Sequence, residues 1–86
     1  MNLYKISQDV NDDWDTYDSA IVCAENDEEA KGIHPNGELN YEETRELKAD
    51  RNLGSWAKKE YVKVELIGTA TNEIEKGVIV SSFNAG

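Results

Sequence analysis

The sequence predicts an α+β fold in which an antiparallel sheet of about four strands is covered on one face by a short helix. Residues 3–8 and 60–68 carry apolar side chains at alternate positions, which is the period of a half-buried strand. Residues 19–24 form a continuous apolar run rich in β-branched side chains, as expected of an inner strand, and 77–83 form the last strand. The predicted order is β, β, α, an inserted helix, β, β.

The first strand is expected to place Tyr4 and Ile6 on one face of the sheet and Leu3 and Lys5 on the other. A polar connection of about residues 9–17 leads into the second strand. These two strands are therefore predicted to pair in an antiparallel hairpin.

The first helix has a recognisable start and stop. Asn26 and Glu29 have the spacing of a capping box, with asparagine in place of serine or threonine. Ala30 and Ile33 lie three positions apart and can face the sheet, while Pro35 prevents the helix from continuing. The helix is therefore short and depends on packing.

The chain of 86 residues is long enough for one domain, residues 1–86. Within it, residues 37–57 are interpreted as an insertion. A second capping pair, Asn40 with Glu43, predicts an exposed helix at 41–49, and Trp56 is expected to anchor the returning chain against the core.

The charge balance limits the classes of partner. With 18 acidic and 9 basic residues the net charge is −9, which repels nucleic acid and anionic membrane surfaces and attracts basic protein surfaces. Cys23 is the only cysteine, no apolar run approaches the length of a membrane span, and the first residues lack the pattern of a signal peptide. A cytoplasmic location is therefore expected.

The acidic stretch at residues 9–18 resembles a calcium loop only at its beginning. Asp9, Asn11 and Asp13 occupy alternate positions, as calcium ligands do. Trp14 stands where glycine makes the sharp turn, and Ala20 stands where the bidentate glutamate belongs. We expect no metal site and no cofactor.

No set of residues predicts catalysis. Cys23 and His34 could form a nucleophile–base pair, but Cys23 lies within a predicted strand and is expected to be buried, and His34 is interpreted as a turn residue. Carboxylates in a solvated loop lack the apolar surroundings that raise the pKa of a general acid. The protein is therefore predicted not to be an enzyme.

The acidic stretch better suits a protein interface. Trp14 and Tyr17 would supply contact area, although both rings could instead cover the small core. The carboxylates would steer a basic partner, and the helix at 41–49 would offer a second acidic surface. The predicted partner-binding residues are Asp9, Asp12, Asp13, Trp14, Asp15, Tyr17, Asp18, Glu42, Glu43 and Glu46.

Several segments resemble small acidic proteins encoded by bacteriophages and prophages. The resemblance covers about two-thirds of the chain and omits residues 37–55; its segments are YKISQDVNDDWDTYDSAIVCA, EEAKGIHP, VKVELIG and KGVIVSSFNAG. It implies a phage accessory protein in a bacterial cytoplasm and supplies no catalytic residues.

Two functions follow as expectations. The first is a binding protein, such as an anti-CRISPR protein, that inhibits a host defence complex by occupying its basic, nucleic-acid-binding surface. The second is a phage structural or self-associating protein, including a homodimer, whose strand edges pair. The sequence leaves both alternatives open.

Overall fold

The structure is a computed structural model that describes residues 1–10, 16–40, 52–53 and 56–84. The predicted helix at 41–49 lies outside these residues. The elements are β1 (Asn2–Ser7), β2 (Thr16–Ala24), α1 (Asp27–Lys31), β3 (Asn52–Leu53), β4 (Trp56–Ala57), a 3₁₀ helix (Lys59–Tyr61), β5 (Lys63–Thr69) and β6 (Gly77–Asn84).

Four strands form one antiparallel sheet in the order β5-β1-β2-β6. The prediction of a four-stranded antiparallel sheet with a short helix is therefore confirmed. β1 and β2 are the two inner strands, and β5 and β6 are the two edges. None of the helices among the described residues is long and apolar enough to cross a membrane.

The hairpin of β1 and β2 contributes the centre of the core. Tyr4 faces Val22 and Ile6 faces Ala20 across the hairpin, and all four side chains are buried. Lys5 is exposed, so the predicted assignment of faces in the first strand is confirmed.

The predicted connection at 9–17 is too long at its end. β2 begins at Thr16, because Thr16 and Tyr17 pair with β6 opposite Asn84 and Phe83. Tyr17 and Asp18 therefore lie on a strand. Pairing with β6, an edge strand far away in the sequence, extends β2 beyond its apolar run.

Helix α1 has the predicted cap. The side-chain oxygen of Asn26 accepts a hydrogen bond from the Glu29 N–H at 2.9 Å, and Ala30 and Ile33 are buried. The Glu29 carboxylate reaches back to the N–H of Glu25, at 2.9 Å, rather than to that of Asn26. The helix ends at Lys31, ahead of Pro35.

Trp56 anchors the returning chain, as predicted. It lies on β4, which pairs with β3, and its side chain is fully buried. The buried cluster combines the inner face of the sheet with α1 and this tryptophan; its members are Tyr4, Ile6, Ala20, Val22, Ala24, Ala30, Ile33, Trp56 and Val62.

The alternation predicted for the segment 60–68 holds only in part. Val62 is buried and Val64 is half-buried, but Leu66 is 62% exposed. The expectation that Leu66 lies on the buried face of the strand with Val62 and Val64 is wrong. The register with β1 shifts next to Leu66, and β5 is an edge strand of the four-stranded sheet.

Candidate functional site

The fold separates the acidic segments into two groups. Residues 8–10 follow β1 and residues 16–18 begin β2 at one end of the sheet, whereas residues 25–31 follow β2 at the other end. Residues 70–76 cross from the β5 edge to the β6 edge at that second end, where the Ala70 N–H donates to the Met1 carbonyl at 3.0 Å. We call residues 25–31 and 70–76 the α1 end, and residues 8–10 and 16–18 the loop end.

The two ends lie apart by about the length of β1, which is about 17 Å at 3.4 Å per residue. That separation is about twice the Debye length in physiological salt. The carboxylates of the two ends therefore act on a partner as separate groups.

An ion pair joins the two segments of the α1 end. The Lys76 ammonium lies 2.9 Å from the Glu29 carboxylate, which also accepts the hydrogen bond from the Glu25 N–H. The hydrogen bond from Lys76 has the larger effect and that from the Glu25 N–H the smaller one. Together they lower the pKa of Glu29 below its usual value of 4.5. The same pair raises the pKa of Lys76. The pair thus holds the crossing segment against α1.

The lowered pKa of Glu29 predicts a small loss of stability in acid. The pKa of Glu29 is lower in the folded state than in the unfolded state. The interactions of its carboxylate therefore stabilise the fold above about pH 4.5, and this stabilisation is lost as the pH falls through the folded-state pKa. Glu29→Gln keeps an oxygen for the Glu25 N–H but does not titrate. We expect the stability difference between the native chain and Glu29→Gln to narrow as the pH falls from about 6 to 3, in urea titrations.

Glu28→Gln is the control for this measurement, since Glu28 is the exposed neighbour of Glu29 on the same helix. Its difference from the native chain should not narrow in the same way. A difference for Glu29→Gln that stays constant with pH would contradict the assignment of the ion pair.

The α1 end is strongly acidic. Its two segments contain six carboxylates and two lysines, and five of the carboxylates are exposed. The exposed members are Glu25, Asp27, Glu28, Glu73 and Glu75. Three carboxylates in the first turn of α1 also interact favourably with the positive end of the helix dipole. This end therefore presents a negative surface that is compatible with a stable helix.

A groove of about 410 Å³ runs beside α1. Ile33 and Leu39 supply its apolar lining, and Glu28, Asn40 and Lys76 supply polar groups. Leu39 is 50% exposed, so an apolar side chain is accessible next to the carboxylates. We call this the α1 groove. It offers apolar contact and negative charge together.

The loop end contains part of the predicted partner-binding stretch. Asp9 lies 2.8 Å from the Lys63 ammonium, with both side chains about two-thirds exposed. Asp18 is exposed on β2. The charge of Asp9 is thus partly compensated by Lys63. The role of Asp18 in steering a partner stays a prediction.

Tyr17 packs into an aromatic group at the loop end. Its ring centroid lies 4.7 Å from that of Phe83 and 6.0 Å from that of His34, and His34 lies 6.3 Å from Trp56. Tyr17 is half-buried against the core. This position favours the interpretation of Tyr17 as a cover for the core, while leaving part of the ring exposed to a partner.

The remaining predicted site residues lie outside the described part of the chain, so their roles stay predictions. They are Asp12, Asp13, Trp14, Asp15, Glu42, Glu43 and Glu46.

The Cys23 and His34 side chains do not form a nucleophile–base pair. Cys23 is buried, as predicted, and alternates along β2 with the core residues Val22 and Ala24, so it points to the opposite face of the sheet. His34 is buried among the aromatic rings, and its Nδ1 accepts a hydrogen bond from the Asn36 N–H at 3.1 Å. It stabilises the turn that follows α1.

Across residues 1–10, 16–40, 52–53 and 56–84, no group of three or more His, Cys, Asp or Glu side chains is placed to hold a metal ion. The start of the calcium-like stretch, Asp9, is described, but Asn11 and Asp13 are not.

The α1 groove is the feature that the sequence did not predict. The capping pair indicated the helix, but the contact of Glu29 with Lys76 joins residues 47 positions apart. Leu39 lies in a turn whose sequence gave no sign of an apolar surface. Comparison of the chain with protein-family models, curated proteins and solved structures finds no match.

Proposed function

We propose that the protein is a small acidic binding protein that inhibits a host protein by occupying its basic surface, without turnover. The proposed target is a nucleic-acid-handling defence complex of a bacterium, such as a CRISPR complex. The phage origin in this proposal comes from the sequence resemblance, and the mode of binding comes from the charge of the chain.

The observation that carries the proposal is the α1 end, where five carboxylates are exposed and one of them, Glu28, lines a groove that also exposes Leu39. A surface that binds phosphates is rich in Lys and Arg, so it is complementary to these carboxylates. The aliphatic part of a Lys or Arg side chain can contact Leu39 while its charged group reaches Glu28. Charge would govern the rate of encounter, and apolar contact would govern the lifetime of the complex.

Charge reversal at the α1 end tests this proposal. Glu28→Lys with Glu75→Lys changes two exposed side chains outside the buried cluster, so the fold should be kept. We expect association with the basic partner to slow about tenfold at about 20 mM salt and less than about twofold at about 500 mM salt. The measurement is association kinetics with a partner captured from bacterial lysate by the tagged protein and then purified.

Glu60→Lys with Glu65→Lys is the matched control. It changes the net charge by the same amount, but Glu60 is exposed on the 3₁₀ helix and Glu65 on β5, and neither belongs to the α1 end or to the predicted partner-binding residues. The control should slow association clearly less than the α1 variant. Equal slowing by both variants would show that only net charge matters, and recovery of no basic partner would contradict the proposal as a whole.

The alternative function, a self-associating phage protein, is favoured by a separate observation. Strand β6, at one edge of the sheet, carries no ionisable side chain and exposes Ile79, Val80 and Phe83.

A further inference from the structure

Strand β6 forms an edge of the sheet, and β2 is its only neighbour among the described strands. The five consecutive side chains from 79 to 83 are all exposed, with Ile79 at 48%, Val80 at 58% and Phe83 at 47%. The outer side of an edge strand presents N–H and C=O groups that can pair with another strand. β6 therefore offers both backbone pairing and apolar contact.

The two edges of the sheet differ in how they resist such pairing. β5 carries Lys63 and Glu65, both exposed, and charged side chains on an edge oppose pairing with another chain. β6 contains no ionisable side chain along its eight residues. Its pairing with β2 shifts register at two places, at Ile79 in β6 and at Asp18 in β2, and each β6 residue from Val80 to Asn84 has a partner in β2. The available edge is thus β6.

The composition of β6 indicates a second copy as the occupant, because the same strand of another copy offers the same apolar side chains and likewise carries no charge. With a net charge of −9, two copies repel each other wherever their acidic side chains meet. β1, β2 and β5 each contain an ionisable side chain, whereas β6 does not. Self-pairing of β6 therefore brings the sheets of two copies together without opposing like charges along the contact.

A two-fold axis is compatible with this contact. Antiparallel pairing of β6 with its own copy closes the assembly as a dimer and gives one continuous eight-stranded sheet. Gly77 lies at the α1 end and Asn84 at the loop end. The axis therefore brings the α1 end of each copy toward the loop end of the other, and both ends are acidic.

We propose that β6 pairs with β6 of a second copy to form an antiparallel dimer, and that this dimer becomes tighter as salt increases. The uncharged edge supplies the contact, and the two acidic ends oppose it. Salt weakens the repulsion between the ends more than it weakens backbone pairing. This dependence is opposite to that of binding to a basic partner.

Sedimentation velocity of the full chain at about 5 to 200 μM tests the proposal. The average mass should rise from 9.7 kDa toward twice that value with concentration. The dissociation constant at about 500 mM salt should be about tenfold lower than at about 20 mM salt. A chain that stays monomeric throughout, or a dimer that weakens with salt, would overturn the proposal.

Val80→Lys places a charge on the exposed strand, near its own copy in the dimer. We expect it to raise the dissociation constant at least about tenfold, because like charges facing each other destabilise a strand pair. Leu66→Lys is the matched control on the other edge, where the side chain is equally exposed. It should change the constant less than about twofold. The reverse pattern would assign the contact to β5 and overturn the proposal.

Ser82→Lys serves the same purpose if Val80→Lys fails to fold, since Ser82 is also exposed on β6. Failure of the dimer and failure of the proposed function are distinguishable. Val80→Lys should leave capture of the basic partner unchanged. Glu28→Lys with Glu75→Lys should weaken capture but strengthen the dimer at low salt, because each substitution raises the net charge of −9 by two.

Discussion

Trp56→Ala is expected to lower the free energy of unfolding by about 3–5 kcal/mol, the range for truncating a fully buried tryptophan. Trp56 is the largest fully buried side chain among the described residues. A domain of this size has a total stability of about 4–13 kcal/mol. The substitution should therefore remove a large part of that stability.

The reason for the size of this effect is the position of Trp56 in the core. It lies on a two-residue strand that ends the insertion, yet its ring packs in the cluster formed by the sheet and α1. Its loss would leave a cavity and would release the segment that carries β3 and β4. Urea unfolding followed by far-UV circular dichroism measures the change without depending on tryptophan fluorescence.

Trp56→Phe is the control for this prediction. It keeps an aromatic ring in the same site, and we expect a loss of about 1–2 kcal/mol. A change of less than about 1 kcal/mol for Trp56→Ala, with an unchanged m-value, would show that the segment does not contribute to the core.

Ile33→Ala is expected to cost about 2–5 kcal/mol, since it truncates a buried aliphatic side chain. Ile33 follows α1 and packs in the core cluster between the helix and the sheet, and its side chain is 1% exposed. A helix of five residues has little stability of its own. Removal of this contact should therefore loosen α1 and the carboxylates that it carries.

Leu39→Ala is the matched control, because Leu39 lines the same groove but is half-exposed. Its effect on stability should stay within about 0.5 kcal/mol, as for most surface positions. If the groove binds the partner, Leu39→Ala should instead shorten the lifetime of the complex. Equal loss of stability in both variants would contradict the described packing of α1.

The two proposed interactions depend on salt concentration in opposite ways. Binding of a basic partner through the α1 end weakens as salt rises, whereas pairing of β6 strengthens. A single salt series at fixed protein concentration, read for both partner capture and mass, therefore separates the two surfaces. The two surfaces use different residues, so both can operate in the same protein.

The candidate site was predictable only in part. The excess of carboxylates and the helix cap are visible in the sequence, because charge is additive and a cap involves residues three positions apart. The α1 groove was not predictable, since Leu39 and Lys76 meet beside α1 only in the folded chain. The predicted steering of a partner by residues 9–18 stays a prediction.

Three local features could be predicted from sequence patterns: the alternation that places Tyr4 and Ile6 in the core, the start of α1 and the burial of Trp56. Each depends on the period of a strand, on a short-range cap or on the large apolar area of one side chain. The strand order, the early start of β2 and the exposure of Leu66 became visible only in the folded chain. The fold also separated the carboxylates into two ends and left β6 as an uncharged edge, because strand pairing joins residues that are far apart in the chain.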